Sequence, residues 1–171
     1  MALNLIVDGY NLIRQSPYLQ AIEARDLEAG REALLSSLAE YRQTRPQNKI
    51  TVVFDGWEKG DWKEARDRRA GMSIIYSRRG EKADEVIKRL LEKERGRAVV
   101  VSSDRELQDF AARVGAAWIS ALQFEASHLR ADAAGEPEPE EEPSPQRATK
   151  KGPAHRAPKR QRQRQQRLKK L

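Results

Sequence analysis

Three apolar runs in this chain end in aspartate: LNLIV runs into Asp8, TVVF into Asp55 and VVVSS into Asp104, while a fourth acid, Asp84, opens an amphipathic stretch. In an α/β domain the ligand crevice lies beyond the carboxyl ends of the strands, so acids at successive strand ends meet in space. Carboxylates gathered in one cleft repel one another and raise each other's pKa unless a cation neutralises them. A hard divalent ion answers that need. Mg²⁺ takes one or two direct carboxylates, keeps waters and uses substrate phosphate oxygens for the rest. Such an ion lowers the pKa of a bound water and neutralises a scissile phosphate, which is the chemistry of phosphodiester hydrolysis. Asp8, Asp84 and Asp104 are therefore the candidate metal ligands and catalytic acids, with Asp55 and Glu81 as neighbours. Aspartate after a strand also commonly caps the next helix, and Asp104 could do both.

Other residues near these acids could serve the same chemistry. Asn11, three residues after Asp8, offers a neutral amide that orients water or phosphate without adding repulsion. Ser102 and Ser103 precede Asp104 and could bond a phosphate, with Arg105 just behind. Tyr10 and Trp57 could stack on bases. Lys59, Lys63, Arg66, Arg68 and Arg69, together with Arg78 and Arg79, form basic flanks that a polyanion would need beside an acidic site. Acids interleaved among them, Asp61, Glu64 and Asp67, also fit a solvated surface helix.

The elements that must position these groups follow from periodicity. Strands are expected at Leu3–Val7, Ile50–Phe54, Met72–Tyr76 and Ala98–Ser102, with a fifth at AAWIS, and Gly9 reads as a tight turn after the first. Helices are expected from about Asp26 to Arg45 behind an Asp26 cap, from Glu81 to Glu94 ending at Gly96, from Arg105 to Arg113, and from Leu122 to Arg130. Strands alternating with helices imply βαβ units, an α/β class and a mostly parallel sheet.

Composition sets the bounds. The 171 residues suffice for one domain with a core, and there is no cysteine, which excludes disulfides, thiolate metal sites and cysteine nucleophiles. No apolar run approaches a bilayer span and the N-terminus has no signal-peptide pattern, so a cytoplasmic protein is expected. Residues 136–171 hold eleven Lys or Arg against five Glu, so a net of +6 out of the chain's +7 sits there. EPEPEEEPSP and the basic run behind it cannot bury apolar surface, so disorder in isolation is expected, with QRQRQQRLKKL able to become helical on a partner. The division read from this is a domain at 1–132, an acidic Pro/Glu-rich linker at 133–146 and a basic tail at 147–171.

Four motifs together, DGYN at 8–11, VVFDG at 52–56, GEKADEVI at 80–87 and VVSSDRELQ at 100–108, resemble the YacP-like branch of the NYN domains, relatives of the PIN nucleases. The resemblance covers residues 1–130 and leaves the tail outside. It implies a PIN-like three-layer α/β/α sandwich and a Mg²⁺- or Mn²⁺-dependent endoribonuclease acting on single-stranded RNA. The family's metal pattern falls on Asp8, Asn11, Asp84 and Asp104, and Asp55 belongs to this branch's own motif. Lys82 stands where relatives carry a small hydroxyl residue, close enough to pair with Glu81 or with phosphate. RNA is the expected partner, and the basic tail suits docking on a ribosome or structured RNA. No long exposed apolar stripe demands pairing, so a monomer is expected. The rival from another class is a noncatalytic RNA-binding module using the tail. A haloacid-dehalogenase site would need a second acid where Tyr10 stands, and a receiver domain would need paired acids and a late lysine that are not evident.

Overall fold

The computed structural model describes residues 2–56, 64–129 and 159–171. A six-stranded sheet runs in the order β3-β4-β2-β1-β5-β6, built from β1 (Asn4–Asp8), β2 (Lys49–Phe54), β3 (Ala65–Arg69), β4 (Met72–Tyr76), β5 (Ala98–Val101) and β6 (Ala117–Ile119). Every pairing is parallel except β3 with β4. Alternate residues of the near-continuous apolar strands feed two cores, as a sheet covered on both faces requires. Leu5, Val7, Val52, Phe54, Val99 and Val101 face one, and Ile6, Val53, Ile75 and Val100 face the other.

The helices α1 (Gly9–Gln15), α2 (Pro17–Glu23) and α3 (Leu27–Thr44) join β1 to β2 over the first face, while α4 (Ala83–Glu94) and α5 (Arg105–Val114) cover the second. The crossover from β1 to β2 runs toward one edge of the sheet and those from β4 to β5 and β5 to β6 run toward the other, and right-handed crossovers of opposite direction put their helices on opposite faces. The chain therefore reverses direction between β1 and β5. That switch point is where an open α/β sheet binds its ligand.

The α/β/α layering and mostly parallel sheet match the expectation, and four elements change it. The stretch after β1 is helical: Gly9 is the buried first residue of α1, and a Cβ there would overlap the Phe54 ring. Its role is close packing of helix on sheet, with no turn involved. The charged segment around Arg66 is the exposed edge strand β3, closed onto β4 by Ala70 and Gly71, both at positive φ. Charges on such an edge block pairing with another chain. Helix α4 stops because Arg95, one residue before Gly96, turns to positive φ. The last expected helix is a short α6 (Ala121–Phe124) that runs into a π-helical turn at Glu125–Leu129.

The tail also differs from expectation at its end. Residues Lys159–Leu168 form α7 against this same domain. The Arg164 guanidinium lies 3.5 Å from the Trp118 ring centroid and its Nε donates to the Trp118 carbonyl. Arg167 donates to the Gly115 carbonyl, Tyr41 and Arg45 both donate to the Leu171 carbonyl, and Leu171 is buried. Arginines that cross-link to backbone carbonyls and an aromatic ring, together with Leu168 and Leu171 packed on the core, hold a segment of otherwise low apolar content. The expected linker at 133–146 lies outside the described residues.

Candidate active site

Asp8 closes β1 and caps α1, accepting the Asn11 backbone N–H at 3.4 Å. Asp104, beyond β5, caps α5: one of its oxygens accepts the N–H groups of Glu106 and Leu107 at 2.7 and 3.4 Å. Asp84 is the second residue of α4, whose amino end reaches the same place from the opposite face. All three line one cavity of about 930 Å³ at the carboxyl ends of the strands, with Asn11, Asp55, Tyr10 and Lys82. Capping and ligation are thus compatible at Asp104, whose cap uses one carboxylate oxygen, while Asp8 accepts on both oxygens, from the Asn11 N–H and the Ser102 hydroxyl, and would offer an ion its remaining lone pairs.

The electrostatics agree with the geometry. Asp8 is only 8% exposed, and burial pushes its carboxyl up to about 6, with the Asp84 and Asp104 charges adding to the rise and the Ser102 hydroxyl opposing it. Asp84 is raised as well, by burial and then by Asp104. Two carboxylates, Asp8 and Asp84, whose charged forms are disfavoured by burial and by the acids beside them, suit a hard divalent cation. Among the described residues no group of three or more acids or histidines is placed to hold a metal ion by itself, so an ion here would rest on one or two of these carboxylates. An open set fits an ion that retains waters and takes phosphate oxygens.

Several expected site residues have structural duties. Ser102 is fully buried; its hydroxyl donates to Asp8 at 3.1 Å and accepts the Asp104 N–H at 3.1 Å, which ties the two acids together. The Ser103 hydroxyl accepts the Ala121 N–H, and its own N–H donates to the Asn11 side-chain oxygen at 2.8 Å. Asn11 therefore spends its oxygen on the β5–α5 loop and keeps its amide N–H donors. Glu81 is outside the cavity lining, held by Arg89 and Arg78, so Lys82 is not its partner and it does not join the acid cluster. Asp55 reaches the cavity and accepts the Ser77 hydroxyl at 3.3 Å.

The basic flanks divide likewise. Arg66 pairs with Glu64 and Arg69 with Glu32, and neither lines the cavity; nor do Arg78, Arg79 and Arg105. Trp57, Lys59 and Lys63 lie outside the described residues. Two arginines that periodicity did not single out do line it, Arg14 on α1 and Arg31 on α3. Reading Gly9 as a turn hid α1, on which Tyr10 and Arg14 share a face at i and i+4.

A family model for the YacP-like NYN domain matches residues 5–170. The chain belongs to the YacP-like NYN family. That match extends the earlier resemblance through the tail, in keeping with the packing of α7 on the domain. The family is nuclease-like and PIN-related, with an RNA-related function. "Uncharacterized protein YacP" of Bacillus subtilis (strain 168) is 38% identical over 87 residues, a stretch that spans 50% of this chain and about half, 49%, of that relative. The crystal structure of Rae1 (YacP) from Bacillus subtilis is similar at a TM-score of 0.58 and 30% identity, covering 74% of this chain and 72% of that one. The crystal structure of a tryptophan-to-leucine mutant of that same protein gives a TM-score of 0.59 at 28% identity, covering 72% and 73%.

Proposed function

We propose that this NYN domain is a metal-dependent endoribonuclease that cuts single-stranded RNA. The observation that carries the reading is the cavity in which Asp8, Asp84 and Asp104 converge at the switch point, the first two with raised pKa values. These residues would hold Mg²⁺ or Mn²⁺; when bound, the ion supplies a water of lowered pKa and neutralises charge on the scissile phosphate. Ser102 fixes the relative positions of Asp8 and Asp104. Asn11, locked through its oxygen, presents N–H donors to a phosphate oxygen. Lys82, exposed at the start of α4, offers a cation to the substrate backbone.

For partners we put forward cytoplasmic mRNA, met in solution or on the ribosome. The support is electrostatic. Helix α7 carries its basic residues at the amino ends of the strands, where it meets Gly115, Arg45 and Asn48, and so lies at the pole away from the cavity. A basic surface there could dock on a large RNA while the cavity addresses a loose strand.

Incubation of the full chain with a mixed RNA pool, in Mg²⁺ or Mn²⁺ against EDTA, tests the proposal. Internal cuts that need the metal and vanish in Asp8→Asn and Asp104→Asn are expected. Full activity of either folded variant sinks the assignment, and metal-independent binding without cuts would favour the noncatalytic module.

A further inference from the structure

The cavity that gathers the carboxylates is also lined by two arginines and two tyrosines, Arg14, Arg31, Tyr10 and Tyr76, along with Asp26 and Glu28 from the start of α3. The Arg14 guanidinium sits 5.4 Å from the Tyr10 ring centroid, Arg31 sits 5.9 Å from that of Tyr76, and Arg31 donates a long 3.4 Å bond to the Tyr10 hydroxyl. Behind them Phe54 locks the aromatic rings, edge-to-face with Tyr10 and stacked with Tyr76. Flat cations laid on rings that are themselves held from behind make a preformed platform.

Neither arginine is consumed by a close carboxylate partner. The Arg14 ion pair with Glu23 is 3.9 Å long and its side chain is 66% exposed. Arg31 has no ion pair among the described residues, and its guanidinium has five N–H donors, of which the Tyr10 bond uses one. Arg66, Arg69, Arg78 and Arg89, outside the cavity lining, are in closer ion pairs, each at 3.4 Å or less. Cations near an acidic cavity, yet uncommitted to its acids, suit a ligand that brings its own negative charge.

We propose that Tyr10, Arg14 and Arg31 form a nucleotide subsite in which the residue next to the cut is held, its base against the Tyr10–Arg14 platform and its phosphate on Arg31. Unpaired bases stack on aromatic rings and on guanidinium planes, whereas bases within a duplex present no free face. The ligand class is accordingly single-stranded RNA. Tyr10 follows Asp8 by two residues at the start of α1, so the subsite and the acid cluster share one rigid junction. The assignment of the cut end rests on the nuclease reading, while binding at the two arginines can be measured without it.

The test uses the full chain in EDTA, where nothing is cut, with a short fluorescein-labelled single-stranded RNA of mixed sequence, read by anisotropy across a salt series. Arg14→Gln and Arg31→Gln should each weaken binding about tenfold. Arg31→Gln should also lower the slope of log affinity against log salt by about 0.7, the value for one phosphate contact on a single strand, whereas Arg14→Gln, which loses a base contact, should leave the slope nearly unchanged. Tyr10→Leu should cost about tenfold with the slope unchanged, and Tyr10→Phe should bind like the unaltered chain. Arg66→Gln is the charge control and should change little. Wild-type affinity and slope in both arginine variants, with thermal unfolding confirming that they are folded, overturn the subsite; so does an equal loss in Arg66→Gln. If the unaltered chain binds in this arginine-dependent way but never cuts RNA with metal, the nuclease reading fails and the subsite stands. If it cuts, and the arginine variants keep both KM and affinity, the subsite fails alone.

Discussion

Replacing Asp8 by asparagine should make this protein more stable while removing its activity. The carboxyl is buried and its pKa rises from 3.8 to about 6 on folding, so its charged form is disfavoured in the native state. At about 1.36 kcal/mol per pKa unit this penalty reaches about 3 kcal/mol when the group is ionised in both states. The sign is set by proton uptake. Below about pH 4 Asp8 is neutral folded and unfolded, and the penalty is absent. Between about pH 4 and 6 the unfolded chain loses the proton first, so stability falls as pH rises, and above about 6 the full penalty persists. Asparagine has one oxygen for the two donors that Asp8 satisfies, the Asn11 N–H and the Ser102 hydroxyl, and the loss of one of these bonds, about 1 kcal/mol, leaves a gain of about 2 kcal/mol near neutral pH. Urea unfolding in EDTA at about pH 4.5 and about pH 7.5 measures it: Asp8→Asn should lead at the higher pH and lose most of that lead at the lower. Added Mg²⁺ should then stabilise the unaltered chain and leave the variant unchanged, since only the former gains by binding the ion. A variant less stable than its parent at the higher pH, or a gap independent of pH, refutes the reasoning that burial and carboxylate repulsion govern this site.

Other outcomes follow from particular contacts. Ser102→Ala removes the donor that favours the Asp8 carboxylate, so the acid limb of the cleavage pH profile should move to higher pH; an unmoved limb counts against the coupling. Gly9→Ala forces a methyl group into the Phe54 ring and should cost about 1–3 kcal/mol in urea unfolding. Removing residues 159–171 deprives Tyr41 and Arg45 of the Leu171 carbonyl and uncovers apolar surface, which should lower stability by about 2–4 kcal/mol in the same measurement. Ser16→Ala leaves the buried Glu125 carboxylate without its hydroxyl donor and takes the side-chain cap from α2, for an expected loss of about 2–3 kcal/mol.

The amino-acid sequence by itself determined the sheet's inner strands and the convergence of Asp8, Asp84 and Asp104. Near-continuous apolar runs are satisfied in a doubly covered sheet, and acids that follow them emerge at its carboxyl edge. Periodicity likewise settled α3, α4 and α5, whose apolar stripes repeat at helical spacing. It could not settle β3, whose five residues are all exposed and form a strand only because β4 offers an unpaired edge. Nor could it settle α7, which is held by Trp118, Gly115, Tyr41 and Arg45, residues remote in sequence. The same holds within the site. Glu81 and Ser102 are chemically as suited to substrate as Asp84 and Asn11, and only the fold turned the first toward Arg89 and the second into the link between two acids. Arg14 and Arg31 show the converse: ordinary helix residues along the chain, they become part of the cavity wall because α1 and α3 pack side by side on one face of the sheet. Local pattern specifies which side chains carry charge, but the company each charge keeps is decided by contacts between elements far apart in the chain.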